Sequence, residues 1–133
     1  MHVRALHHVA FAVSDLDEAV QTYQRLFGAR VELRDRMEAE GVEAVYLRIG
    51  DGRIELVAPL ADDTPVGRFL ASRGPGMHHV AFEVSDVGKA IEDLTAAGAE
   101  VVDAEPRPGL AGREVAFVHP DGLHGVLAEV VGA

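Results

Sequence analysis

At 133 residues the chain is one domain's worth, long enough to bury a real core. With 48% apolar and 26% charged residues it shows no disordered signature, and a formal charge of −10 argues against a nucleic-acid surface and disfavours an anionic membrane face. No apolar run reaches transmembrane length, no basic-then-apolar leader is seen, and zero cysteines remove disulfides, thiolate nucleophiles and thiolate metal sites, so a cytoplasmic, reducing setting is expected.

In chain order, HHVAFAVSD (7–15) predicts a strand that ends in a helix cap. Leu16, Ala19, Val20, Tyr23, Leu26 and Phe27 then fall at helical spacing, with Ser14 and Asp15 as N-cap oxygens and Gly28 where a left-handed C-cap belongs. Three strands are expected next: ARVELRDRM, GVEAVYLRIG and RIELVAPL. The last two are joined by an Asp51-Gly52 turn that pairs Gly50 with Arg53 and sets Arg48 opposite Glu55. ADDTPVGRFLASRGPG predicts a short linking helix bounded by Pro and Gly.

HHVAFEVSD (78–86) then repeats the opening motif 71 positions later with a single change, Ala12 to Glu83. Val87, Ala90, Ile91, Leu94 and Ala97 repeat the helical stripe between Ser85-Asp86 and Gly98, and AEVVDAE, REVAFVHP and GVLAEVVG predict three more strands. The expected class is α+β. Two tandem βαβββ modules, each too small to close a core alone, form a curled mixed sheet around a metal-binding cleft with helices outside. The whole, 1–133, is expected to be a single domain: module 1 about 5–60, a linker helix about 61–75, and module 2 about 76–131.

Alternation divides the first motif into a packing face (Val9, Phe11, Val13) and an open face (His8, Ala10, Ala12). The second motif repeats this with Val80, Phe82, Val84 against His79, Ala81, Glu83. The last strand of each half carries a glutamate inside an apolar run, Glu55 in IELVAP and Glu129 in VLAEVV, 47 and 50 residues after the corresponding histidine. A half-buried carboxylate needs a partner, because an unpaired buried charge is costly. His8, Glu55, His79 and Glu129 satisfy one another if they share a divalent ion, and imidazole with carboxylate suits Zn, Mn, Fe, Co or Ni. His7 and His78 fall with the packing face or at its edge, and these two, with His2, His119 and His124, are assigned structural roles.

These residues resemble the vicinal oxygen chelate (glyoxalase/bleomycin-resistance) superfamily. Within it they are most similar to the methylmalonyl-CoA epimerase family, through GVEAVYLRIGDGRIELVAPL, DDTPVGRFL, GMHHVAFEVSDV, AEPRPGLAGREVAFVHP and HGVLAEV. The resemblance implies an isomerase with metal ligands at His8, Glu55, His79 and Glu129 and one divalent ion per chain, Co²⁺ favoured over Zn²⁺, Mn²⁺, Ni²⁺ or Fe²⁺. It also implies a homodimer acting on an acyl-CoA, interconverting the C2 epimers of methylmalonyl-CoA through a metal-stabilised enolate, with Glu129 and Glu55 as the acid/base pair. One departure stands out. Some members of that family carry a further carboxylate where this chain has Ala44, and glutamine where it has Glu55. The adjacent Glu43 turns to the other strand face, so Glu55 is expected to supply the second carboxylate, with Tyr46, Glu38, Glu40 or water as substitutes.

Arg68, Arg73, Arg107 and Arg113 are candidates to hold the CoA tail of an anionic substrate. Two classes compete with the epimerase reading. One is another metal enzyme of the fold, glyoxalase I or an extradiol dioxygenase, though four ligands fit a dioxygenase less well. The other is a metal-free drug-binding protein, disfavoured by the absence of Trp and an aromatic content of 5%.

Overall fold

The first motif becomes β1 (Val3–Ala12) and α1 (Leu16–Phe27) in a computed structural model that describes the whole chain, Met1–Ala133. Then come β2 (Arg30–Met37), β3 (Val42–Ile49), β4 (Gly52–Pro59) and α2 (Pro65–Arg73). The second motif gives β5 (Gly76–Val84) and α3 (Val87–Ala96), followed by β6 (Arg107–Pro108), β7 (Glu114–Val118) and β8 (Ala128–Gly132). The eight strands hydrogen-bond in the order β2-β3-β4-β1-β5-β8-β7-β6. The class is α+β with a mixed sheet, as expected. No helix is long and apolar enough to cross a membrane.

Two compact units emerge, Val9–His78 and Met1–His8 with His79–Ala133. The division falls inside each histidine doublet strand. In the first unit, Asp15 caps α1 by accepting the Glu18 N–H at 3.0 Å, and Gly28 closes the helix at φ 65°, a conformation that costs a residue with a Cβ more. Leu16 and Val20 pack on Val45, Leu47, Leu56 and Ala58 of β3 and β4. Leu26 and Phe27, assigned to the same stripe by spacing, are exposed at the end of the helix.

The β3–β4 hairpin differs from expectation by one rung. Gly50 takes a left-handed φ of 56°, so the two-residue turn is Gly50-Asp51 rather than Asp51-Gly52. Ile49 pairs with Gly52, Arg48 with Arg53, and Tyr46, not Arg48, lies opposite Glu55. The shift moves each pair by two, so the faces survive: Ala44, Tyr46, Arg48 and Glu55 still share one, and Val45, Leu47, Ile54 and Leu56 the other.

In the second unit, Asp86 caps α3 through the Lys89 N–H at 3.0 Å. Val87, Ala90 and Ile91 pack on Ala116 of β7 and Val130 of β8. AEVVDAE does not form the expected strand. Val101 makes only an isolated bridge to Val118, and β6 is two residues long. The cause is local: the Asp103 carboxylate accepts the Phe117 N–H at 2.8 Å, replacing a backbone acceptor, and Pro106 and Pro108 carry no N–H to donate.

Candidate metal and proton-transfer site

The open face of the second unit is built on the parallel pair β5–β8. There Ala81 lies opposite Glu129, and β7 brings Phe117 opposite Glu129 from the other side. The small Ala81 leaves room beside the carboxylate, and His79, two residues earlier on β5, shares its face. His8 enters from β1. Its Nε2 lies 3.3 Å from His79 Nε2 and 3.4 Å from Glu129 Oε1, and His79 Nε2 is 3.9 Å from the same oxygen. All three residues are buried, at 2%, 6% and 8% exposure.

Two imidazole nitrogens and one carboxylate oxygen, all within 4.8 Å of one another, offer the donor set of a two-histidine, one-carboxylate metal site. Neighbouring ligand atoms at bonds of about 2.1 Å in a tetrahedral site stand about 3.4 Å apart, so the sides at 3.3 and 3.4 Å match and the 3.9 Å side needs to close. The residues fit a divalent ion. Phe117 sets its ring against His79, centroids 5.4 Å apart and nearly perpendicular, restricting the imidazole. Arg107 lies over the other partner of that contact, its guanidinium 5.0 Å from the Phe117 centroid and 3.2 Å from Asp103.

Glu55 belongs to the other unit, where β1–β4 places it opposite Ala10 and β3 places it opposite Tyr46. It is 7% exposed, and burial pushes its carboxyl up to about 8. Ala44, two residues before Tyr46 on β3, is buried between Asp35 and Val57 and carries no acid/base group. Glu43 is turned away and bound to Arg34 at 2.9 Å; Glu38 is bound to Arg36 at 3.0 Å.

The other sequence candidates take structural partners. Arg68 donates to Asp63 O, Arg113 donates to Gly132 O, and Arg73 covers Phe69. Of the four arginines, Arg107 alone touches a residue of the Glu129 face. His78 packs against Phe69, and burial followed by Arg73 holds its imidazole below the ordinary range. His119 accepts the Asp121 N–H at 3.0 Å. His7 is buried and its Nδ1 is 2.8 Å from His8 Nδ1. Strand alternation sends it to the opposite face, and only the doubled histidine in the sequence marks it. Phe117 and Tyr46 as partners of the two glutamates follow from register, which the sequence leaves open.

Residues 7–117 match the Glyoxalase/Bleomycin resistance protein/Dioxygenase superfamily. The chain is 35% identical over 126 residues to a mitochondrial methylmalonyl-CoA epimerase of Dictyostelium discoideum, covering 94% of this chain and 76% of that protein. It is 36% identical to an ethylmalonyl-CoA/methylmalonyl-CoA epimerase of Cereibacter sphaeroides, covering 94% and 95% of the two chains. A solved structure of a Streptomyces coelicolor methylmalonyl-CoA epimerase variant, in complex with 2-nitronate-propionyl-CoA, superposes with a TM-score of 0.96 at 34% identity, over 99% of this chain and 96% of that one.

Proposed function

Because the chain belongs to the glyoxalase/bleomycin resistance/dioxygenase superfamily and, within it, to the methylmalonyl-CoA epimerase family, we propose that this epimerase interconverts the C2 epimers of methylmalonyl-CoA by a metal-dependent 1,1-proton transfer through an enolate. The observation that carries the metal-dependent part is the convergence of His8 Nε2, His79 Nε2 and Glu129 Oε1. We assign Glu55 to the same set as fourth ligand, supported by its burial and by its rung, which matches that of Glu129. When bound, a divalent ion, Co²⁺ by preference, supplies positive charge beside the oxygens on which negative charge builds as the C2 proton leaves.

The chain's own residues divide the proton work. Glu129 takes the C2 proton from one face, and Glu55 returns one to the other. The two carboxyls thus exchange protonation states in each turnover, and the opposite epimer runs the sequence backwards. A cytoplasmic homodimer is part of the proposal. The lack of cysteine supports the compartment, and the exposed apolar Val3, Leu6 and Met77 support the dimer.

Incubation of one methylmalonyl-CoA epimer with Co²⁺-loaded protein in D₂O tests the reading. Racemisation with deuterium wash-in at C2, without nicotinamide, is expected. Much faster turnover of the methylglyoxal–glutathione hemithioacetal overturns it in favour of a glyoxalase.

A further inference from the structure

Adjacent residues of a strand ordinarily point to opposite faces, yet His7 and His8 are both buried, at 4% and 2% exposure, with their Nδ1 atoms 2.8 Å apart. We propose that His7 is a positioning residue for the metal site: it accepts the Nδ1 proton of His8 and so keeps the His8 Nε2 lone pair turned toward His79 and Glu129. The inference deepens the metal reading above and rests on it.

Between two neutral imidazoles this contact has two arrangements. If His7 donates, His8 accepts at Nδ1 and must carry its own proton on Nε2, which then cannot bind a cation. If His8 donates, Nδ1 is protonated and Nε2 presents its lone pair. Nε2 is the atom set 3.3 Å from His79 Nε2 and 3.4 Å from Glu129 Oε1. Only the second arrangement fits a ligand role. A metal-bound histidine is normally fixed in this way by a carboxylate or carbonyl on its far nitrogen. An imidazole does the same without adding another negative charge to a site already built around Glu129.

In the second doublet the leading residue, His78, sets its ring against Phe69, with ring centroids 4.9 Å apart.

Two-bond ¹H–¹⁵N correlation spectra of the Zn²⁺-loaded wild-type protein read the tautomers directly. The expected result is a proton on His8 Nδ1 and none on His7 Nδ1; a His8 proton on Nε2 overturns the proposal. Co²⁺ titration followed by the d–d absorption then compares His7→Leu, which has no acceptor, with His7→Asn, whose Oδ1 can replace Nδ1. The Leu variant should bind Co²⁺ about 10- to 100-fold more weakly with an altered band, and the Asn variant should recover most of both. A Leu variant that melts like the wild type and binds Co²⁺ as tightly overturns the positioning role alone. Failure of the wild-type protein itself to take up Co²⁺ overturns the metal reading. If the Leu variant does not fold, the tautomer spectrum and the Asn variant decide.

Discussion

In the unit Val9–His78, β1 and β4 run parallel with Ala10 opposite Glu55; in the other unit, β5 and β8 run parallel with Ala81 opposite Glu129. Across the next strand each glutamate faces an aromatic, Tyr46 in one case and Phe117 in the other. Each aromatic carries an arginine over its ring, Arg53 at 5.3 Å and Arg107 at 5.0 Å, tied to Glu32 and Asp103 respectively. The backbone and its neighbours are thus repeated down to the cation–π contact. The surroundings of the carboxyl differ: Glu129 has two imidazole nitrogens within 4 Å, whereas burial pushes Glu55 up to about 8. One duplicated rung therefore offers two chemistries, set by side chains that arrive from outside it.

The largest expected effects test that difference on the Glu129 side. His8→Ala or His79→Ala should abolish Co²⁺ uptake measured by elemental analysis, since each removes one corner of the triangle. Glu129→Gln leaves a neutral oxygen for the cation but no base. It should keep partial metal binding and lose epimerisation by a factor of ~100 or more, the scale of a positioned general base. Full activity in Glu129→Gln removes it from proton transfer.

A smaller, directional effect is expected at Glu55. Glu55→Gln should retain metal and slow deuterium wash-in from one epimer more than from the other, because only one epimer relies on Glu55 to take its C2 proton, while the other still exchanges through Glu129. Equal wash-in from both epimers at the wild-type rate makes Glu55 at most a ligand, and the second proton then comes from another group such as Tyr46, Glu38, Glu40 or water.

Much of this contrast was legible in the chain. The repeat exposes the paired modules, and period-two alternation places His8, His79, Glu55 and Glu129 on open faces. What was not legible depended on single backbone angles or on side chains that substitute for backbone. Gly50, with its left-handed φ, shifted the hairpin and made Tyr46 the partner of Glu55. Asp103 took the Phe117 N–H that a strand would have used, and AEVVDAE lost its ladder. His7 escaped because alternation describes Cβ directions, while an imidazole reaches far enough to turn back toward its neighbour.

The buried acid also sharpens the comparison without catalysis. Burial raises Glu55 from about 4.5, the value of an exposed glutamate, to about 8 in the folded metal-free protein. The folded state then holds this proton more tightly than the unfolded state. Its contribution to stability is fully present below about pH 4.5 and is lost as pH rises through about 8. Urea denaturation of chelator-treated protein across that window should show stability falling in the wild type relative to Glu55→Gln. Parallel curves for the two proteins rule out a proton held at Glu55.

The smallest expected difference lies at the helix caps, where the repeat is again close but incomplete. Asp15 and Asp86 each accept a backbone N–H at 3.0 Å, so replacing either with Ala should cost ~1 kcal/mol. The first turn of α1 also holds Asp17 and Glu18, which continue to favour the positive end of the helix when Asp15 is gone; the first turn of α3 holds no acid. Asp86→Ala should therefore be the costlier change by a few tenths of a kcal/mol, with the gap closing at high salt. Both variants should bind Co²⁺ as the wild type does, since neither helix end contributes a site residue. Equal costs at low salt assign the caps' worth to their hydrogen bonds alone, and an Asp86→Ala variant that loses metal shows that α3 helps to hold the β5–β8 rung in place.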